Sequence, residues 1–314
     1  IPVALAVATT LDLAINLGFN PTRSIITDVT PDGKARTKGY TWMQTVSGTL
    51  GVAAYFLGAY FSNYTLIYVG VFIVLAFSII PVFFIEEPKQ LQGDTTNAEI
   101  NALDVQAHTQ KAEINELIKI YFANAFSWIG VQTMFVFMFA YASQMLFNTN
   151  DSASLDQTQN NKIGQIIGYS FLILNAVGAI LPAIVLEPLT KKYGRIAVQS
   201  TCLLIMSIAY GLIVWIGNSV TALYCCMALA GIGWAAIVSL PFAIMSEKVN
   251  KQRMGLFMGI FNMSIVIPQL IVSLLIAQFI GSAENKDLIF EISAVSLFLS
   301  FIMWRLVKEK RATA

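Results

Sequence analysis

Apolar residues dominate this chain in long blocks separated by short polar stretches. The blocks fall at about 1–27, 38–61, 65–85, 117–147, 163–187, 196–216, 220–246, 254–280 and 288–307. A helix of about 20 residues crosses the hydrocarbon core of a bilayer, and each block is that long or longer. The pattern therefore predicts an all-α membrane protein with nine spanning helices. The block at 117–147 is long enough to tilt or to project beyond the bilayer. The widest polar gap, 86–118, contains "TTNAEINALDVQAHTQKAEINELIK". It is rich in helix formers, and Thr96 or Asn97 offers a cap, so a surface helix is expected there in place of a separate domain.

Charge then orients the blocks. All of the 19 lysines and arginines except Arg23, Lys162 and Lys286 lie in alternate connections: 28–38, 86–119, 188–196, 247–253 and the C-terminus. Positive residues stay on the cytoplasmic side. This predicts a multi-pass plasma (inner) membrane protein with its C-terminus inside and residue 1 outside.

An internal repeat refines the count. "PTRSIITDVTPDGKARTKGYTWM" and "PFAIMSEKVNKQRMGLFMGIF" both run from a proline to an acid six or seven residues on, Asp28 or Glu247. Each then gives a basic residue (Arg36, Arg253), a glycine (Gly39, Gly255) and a new apolar helix. The first block thus repeats as the seventh, a period of six helices. Paired six-helix halves are the organisation of major facilitator transporters. The expected division is 1–85 as the second half of an N-terminal six-helix bundle, 86–116 as the central cytoplasmic loop and 117–314 as a C-terminal six-helix bundle. Nine helices of twelve, and a start at Ile1, predict three further helices upstream.

Composition excludes most other classes. The chain is 56% hydrophobic and 12% charged, against about a quarter charged in soluble domains. Cys202, Cys225 and Cys226 lie in apolar blocks without metal-ligand spacing, and the single histidine, His108, lies in the polar gap. No phosphate-binding glycine loop, hydrolase elbow, metal cluster or nucleic-acid patch is found in the sequence. The expectation is a non-enzyme with no metal, no organic cofactor and no nucleic-acid partner. Transport driven by ATP would need a partner chain. The apolar start lacks the basic region and cleavage site of a signal peptide. The oligomeric state is left open.

Candidate chemistry lies inside the blocks. On a helical wheel Thr9, Asp12, Asn16, Asn20 and Arg23 fall within roughly 80° of one another. A charge at bilayer depth costs several kcal/mol, so such a stripe marks a water-filled path or a partner. The stripe predicts a transport pathway with Asp12 as a proton-binding carboxylate. The alternative is that Asp12 bonds a neighbouring helix and Arg23 snorkels to the surface. Asp12 and Arg23 are about 16 Å apart along a regular helix axis, too far for a direct ion pair. In the fourth block Asn124, Trp128, Gln132, Phe135 and Phe139 share one face. Aromatic surface suits the C–H faces of a sugar and amides suit its hydroxyls, with aromatic packing as the plain alternative. In the eighth block Gly255, Gly259, Asn262, Gln269 and Ser273 share a face. The glycines would admit a close neighbour, and the two amides would meet hydroxyls or bond between helices. Asp28, Arg36, Glu247, Arg253 and Glu187 stand at the cytoplasmic helix ends. They are expected to form ion pairs that open and close, or to be solvated charges.

One stretch carries a resemblance. "SLPFAIMSEKVNKQRMGLFMGIFNMSIVIPQLIVS", with Pro241-Phe242-Ala243, Gly255-Leu256, Gly259, Asn262, Ile265-Val266 and Pro268-Gln269, resembles the sucrose and maltose proton symporters. These form the glycoside–cation symporter group of the major facilitator superfamily. Its fourth helix carries an Asp and an Arg eleven residues apart, which fall on Asp12 and Arg23, and its seventh-helix tryptophan region is similar to "FSWIGVQTMFVF". "LTKKYGRI" resembles the superfamily's basic loop motif, with Lys191 where an acid is usual. Arg253-Met254 replaces the Gly-Gln of plant members. The charged cluster of their eighth helix is absent, leaving Gln165 and Asn175.

The resemblance runs along essentially the whole chain, from the fourth family helix to the twelfth. It implies symport of an α-glucosidic disaccharide, maltose or sucrose, with a proton as the coupling ion. Asp12 and Arg23 would couple the proton, and Asn16, Asn20, Trp128, Gln132, Asn262 and Gln269 would bind substrate. The other readings are a carrier driven by sodium or specific for other glycosides, and a non-transporting sensor or scaffold.

Overall fold

The computed structural model describes residues 10, 23, 25–27, 30, 33–60, 63–83, 113–151, 154–217, 219–249 and 253–308. Their helices are α1 (Lys34–Tyr60), α2 (Asn63–Ile79), α3 (Ile114–Phe147), α4 (Gln157–Tyr193), α5 (Arg195–Ile216), α6 (Val220–Ser246), α7 (Met254–Ser282) and α8 (Leu288–Arg305). Residues 23 and 25–27 are helical and belong to the first predicted block. No strand occurs among the described residues, and α3 to α8 are the six helices long and apolar enough to cross a membrane. The surface helix expected within 86–118 lies outside the described residues up to residue 112.

Local chemistry explains the helix ends. α6 starts and stops where the apolar pattern does, with Ser219 Oγ accepting from Ala222 N at 3.1 Å. α4 starts six residues before its apolar block. The Asp156 carboxylate accepts from Gln159 N at 2.8 Å, and the Gln159 side chain accepts from Asp156 N at 2.9 Å. This reciprocal capping box nucleates the helix in its polar lead-in. At the other end α4 passes Pro182 through one wide π turn, Pro182–Leu186, and continues to Tyr193. Proline removes a donor, and the wide turn re-routes the ladder. The freed Ala183 N–H donates to Thr45 of α1 at 3.2 Å. Gly194 then ends the helix at φ 87°, a region glycine enters at no steric cost.

The bundle is held by small and polar contacts between apolar helices. Lipid tails are as apolar as leucine, so close packing and hydrogen bonds bring the helices together. Between α3 and α8, Ser127 and Ser300 hydroxyls meet at 2.6 Å, and Ser300 Oγ donates to Ala123 O at 2.6 Å. Between α5 and α8, Ser207 Oγ donates to Ala294 O at 2.7 Å. Large apolar side chains point outward, Trp215 at 84% exposure and Phe279 at 69%. On the side opposite the basic end, Lys286 breaks the charge bias. Its buried ammonium donates to Ile280 O at 2.8 Å and Ala283 O at 2.7 Å, so it caps the C-terminal end of α7.

Gly130 sets the α3–α8 distance. A Cβ there would stand 2.8 Å from Ser293 O and 2.9 Å from Leu297 Cγ. Backbone on one side leaves little to yield, so Gly130→Ala is expected to cost about 1–3 kcal/mol. The check is the thermal unfolding midpoint in detergent. A midpoint equal to wild type would show that α8 moves away freely.

Candidate functional site

Arg23 lies inside the bundle. It is 8% exposed, and its Cζ sits 3.9 Å from the Phe242 ring centroid of α6. A guanidinium over an aromatic face is attracted by the ring quadrupole, more so when desolvated. Tyr40 of α1 fixes the helix that carries it. Tyr40 Oη donates to Arg23 O at 3.0 Å and lies 2.9 Å from Thr27 Oγ1. The Tyr40 ring stacks 6.0 Å from Phe242, and Phe242 meets Phe261 of α7 edge-on at 4.9 Å. Arg23 does not snorkel; its guanidinium rests on Phe242, whose ring in turn meets Tyr40 of α1 and Phe261 of α7. Asp12, Asn16, Asn20 and Asp28 lie outside the described residues.

The α3 stripe divides. Asn124 is buried toward α7, where its Nδ2 donates to Ser264 Oγ at 2.9 Å. Phe139 is exposed. Trp128 and Phe135 turn to α6 and α4. Trp128 meets Trp234 at 6.0 Å and 76°, Phe135 meets Trp234 at 5.5 Å and 69°, and Phe135 meets Phe171 at 4.9 Å. Gln132 is half-buried and makes no hydrogen bond to a described residue. The stripe in the sequence names Trp128 and Phe135 but not their common ring partner, Trp234. The available signal was an indole N–H inside an apolar helix, which needs an acceptor. Its acceptor is Asn175 Oδ1 of α4, at 3.2 Å.

α7 turns a different face inward from the one the polar stripe suggests. Met254, Met258, Phe261, Ile265, Pro268 and Val272 are buried. Asn262 and Gln269 are half-buried and bond to no described residue. Gly255 and Gly259 meet nothing within 4 Å, so the close helix approach expected of them is not made among the described residues. Leu256, Met263, Leu270 and Leu274 of the same helix are exposed, so both its faces carry large apolar side chains and the two amides lie between them.

At the basic end the described members of the predicted charge set behave differently from one another. Glu247 pairs with Arg195, both guanidinium nitrogens 2.5 Å from its carboxylate oxygens, and its Oε1 accepts from Gly33 N at 2.6 Å. Arg253, the basic residue of the same repeat unit, is exposed. Its counterpart Arg36 is fully buried. Arg36 Nη2 donates to Thr27 O at 3.2 Å and Thr30 O at 3.1 Å, and Nη1 donates to Ser246 O at 3.4 Å. It thus caps the end of the first block and reaches the C-terminal end of α6. Glu187 pairs with Lys191 one turn along its own helix at 2.6 Å, a contact that joins no two helices. A further pair, Lys248–Glu113 at 2.9 Å, ties the end of α6 to the start of α3.

Arg36→Met would leave those carbonyls without their buried donor. Each unsatisfied group costs about 1–3 kcal/mol. The expected result is a lower unfolding midpoint in detergent, with Arg36→Lys intermediate because one ammonium cannot span carbonyls on two helices. An Arg36→Met midpoint equal to wild type would contradict the capping role.

The architecture can be set beside known proteins. The sequence matches the Major Facilitator Superfamily over residues 2–273 and again over 173–313. It is 24% identical over 314 residues to the sucrose transport protein SUT2 of Oryza sativa subsp. indica, covering 84% of this chain and 61% of that protein. It is 22% identical over 307 residues to the sucrose transport protein SUC4 of Arabidopsis thaliana, covering 84% and 59%. The chain thus spans about three-fifths of the length of the curated relatives it matches. The two matches together run through every described helix, and the structure is a bundle of apolar helices: this chain belongs to the Major Facilitator Superfamily.

Proposed function

We propose that the chain provides the substrate path of a secondary transporter that carries an α-glucosidic disaccharide, sucrose or maltose, together with protons. The observation that carries this reading is the buried Arg23 guanidinium on Phe242 of α6, the helix whose Trp234 meets Trp128 of α3. Tyr121 lies 5.9 Å from Phe261 in the same ring cluster, and Trp128 follows about 10 Å further along α3. A cation, an amide and aromatic faces along that length suit two linked sugar rings. The similarity to sucrose transport proteins supports the substrate class.

In this reading Asp12 takes up a proton from outside. The sugar lies between the halves 1–85 and 117–314, against Arg23, Asn16, Asn20, Trp128 and Gln132, with Asn262 and Gln269 of α7 facing it in part of the cycle. The basic end is cytoplasmic. Arg195–Glu247 and the Arg36 contacts hold that end closed until the halves rock and release both ligands.

Counterflow of labelled sucrose and maltose into liposomes carrying the protein tests the reading. Saturable exchange, competed by α-glucosides and driven by an inward proton gradient, is expected. No exchange of any sugar would defeat it, and accumulation that follows a sodium gradient at fixed pH would defeat the proton assignment.

A further inference from the structure

We infer that Trp234 is a second wall of the substrate site and that Asn175 is the positioning residue that sets it. This rests on the sugar-transport reading above and extends it to the pyranose ring itself. Three features separate Trp234 from ordinary core packing.

The first is how firmly the indole is held. Its Nε1–H donates to Asn175 Oδ1 at 3.2 Å, while Asn175 Nδ2 donates to Phe171 O, one turn back on α4, at 2.8 Å. Both ends of the amide are engaged, so its flip state is fixed, and so is the direction in which the indole points. The second is the bare backbone beneath the ring. A Cβ at Gly178 would stand 2.5 Å from Trp234 Cδ1 and 3.3 Å from its Nε1. The indole occupies the space that any other residue at 178 would fill. The third is what remains open. Trp128, Phe135 and Trp234 are all half-buried despite lying among α3, α4 and α6. They meet edge-to-face, and perpendicular rings leave faces unstacked. A ring face bounded by a second ring at 76° is a corner, and the axial C–H groups of a pyranose pack on such a face. Gln132, half-buried, stands between Trp128 and Phe135 on the same face of α3.

The corner also has a defined relation to Arg23. Trp234 and Phe242 are about 12 Å apart along α6, and Arg23 rests on Phe242. One ring of a disaccharide at the Trp128–Trp234 corner places the other toward the guanidinium. Trp234 therefore selects for a stacked pyranose, and Asn175 acts through it without touching sugar.

The test uses the protein reconstituted in liposomes, with sucrose and maltose as probes and counterflow as the assay. Trp234→Ala is expected to raise KM by about tenfold or more, with the maximal rate less affected. Trp234→Phe keeps a ring in place and guards against a folding defect in the alanine variant; a smaller rise in KM is expected. Asn175→Leu is expected to raise KM while the tryptophan emission of the sugar-free protein shifts, because the indole loses its acceptor. Sugar should also perturb tryptophan emission in wild type and in Trp128→Phe, and perturb it less in Trp234→Phe. If wild type exchanges sugar but Trp234→Phe and Trp234→Ala keep the wild-type KM and emission response, this inference is overturned while the transport reading stands. If wild type exchanges no sugar, the transport reading falls and this inference with it.

Discussion

Replacing Asp12 by Asn is expected to abolish proton-driven accumulation of sugar while leaving counterflow largely intact. An amide has nearly the shape of a protonated carboxyl and cannot exchange a proton in the working pH range. The Asp12→Asn carrier would therefore resemble the proton-loaded form permanently: it could bind and exchange sugar but could not couple it to a gradient. The magnitude follows from linkage. One pH unit is worth about 1.36 kcal/mol, so one proton per sugar supports about tenfold accumulation for each unit of gradient. In Asp12→Asn that ratio should fall to one. The measurement is uptake of labelled sucrose or maltose into liposomes with an imposed pH step, beside counterflow at uniform pH. Accumulation that survives would remove Asp12 from the coupling role. Loss of both activities would assign it to binding or folding. The position of Arg23 makes the experiment specific. Its guanidinium is already engaged by Phe242, eleven residues from Asp12 in the chain, and about 16 Å from it along a regular helix. Neutralising Asp12 is thus expected to spare the Arg23 end of the site.

The helices were legible because lipid and neighbouring helices both demand apolar side chains, so length alone marks a span. Val220–Ser246 was readable to the residue for that reason. Where polar chemistry sets an end, the apolar block fell short: Gln157 starts α4 through a capping box, and a π turn carries that helix past Pro182. The proposed site was legible only where polar and aromatic residues stand on one face of one helix. Trp128 and Gln132 met that condition. Trp234 did not, because α6 is apolar all round and has no stripe against which an indole stands out. Its meaning comes from Asn175, Phe135 and Trp128 on two other helices. The same limit hid the basic-end pairing. Glu247 and Arg195 are 52 residues apart, and Arg253, the basic residue that follows Glu247 in the internal repeat, is exposed. Periodicity reports what one helix presents; it does not report which helix receives it.

The strongest single stabilising contact at the basic end should be the Glu247–Arg195 pair. Glu247→Gln is expected to destabilise the protein by about 3–5 kcal/mol, the cost of leaving a buried charge without its partner. Against a total stability of about 5–15 kcal/mol, that is a large fraction. The geometry supports the upper part of this range. The pair is bidentate, with side chains 10% and 9% exposed, and the carboxylate also receives Gly33 N at 2.6 Å. Glutamine could accept from one donor, but it would turn an NH₂ toward the guanidinium or toward the backbone amide. Arg195→Met should cost a comparable amount by stranding the carboxylate. The double variant should regain much of the loss, since removing both charges removes the desolvation penalty together with the attraction. Thermal unfolding in detergent gives the energies. Spin labels at the exposed Lys34 and Leu256 give the conformational consequence. Gly33 immediately precedes α1 and Glu247 immediately follows α6, so loss of their contact should add a longer-distance population at this end. Single variants with wild-type midpoints, or a double variant whose loss is the simple sum of the two, would show that the pair carries no coupling energy. An unchanged distance distribution in Glu247→Gln would show that the pair stabilises the α5–α6 corner without holding the basic end closed.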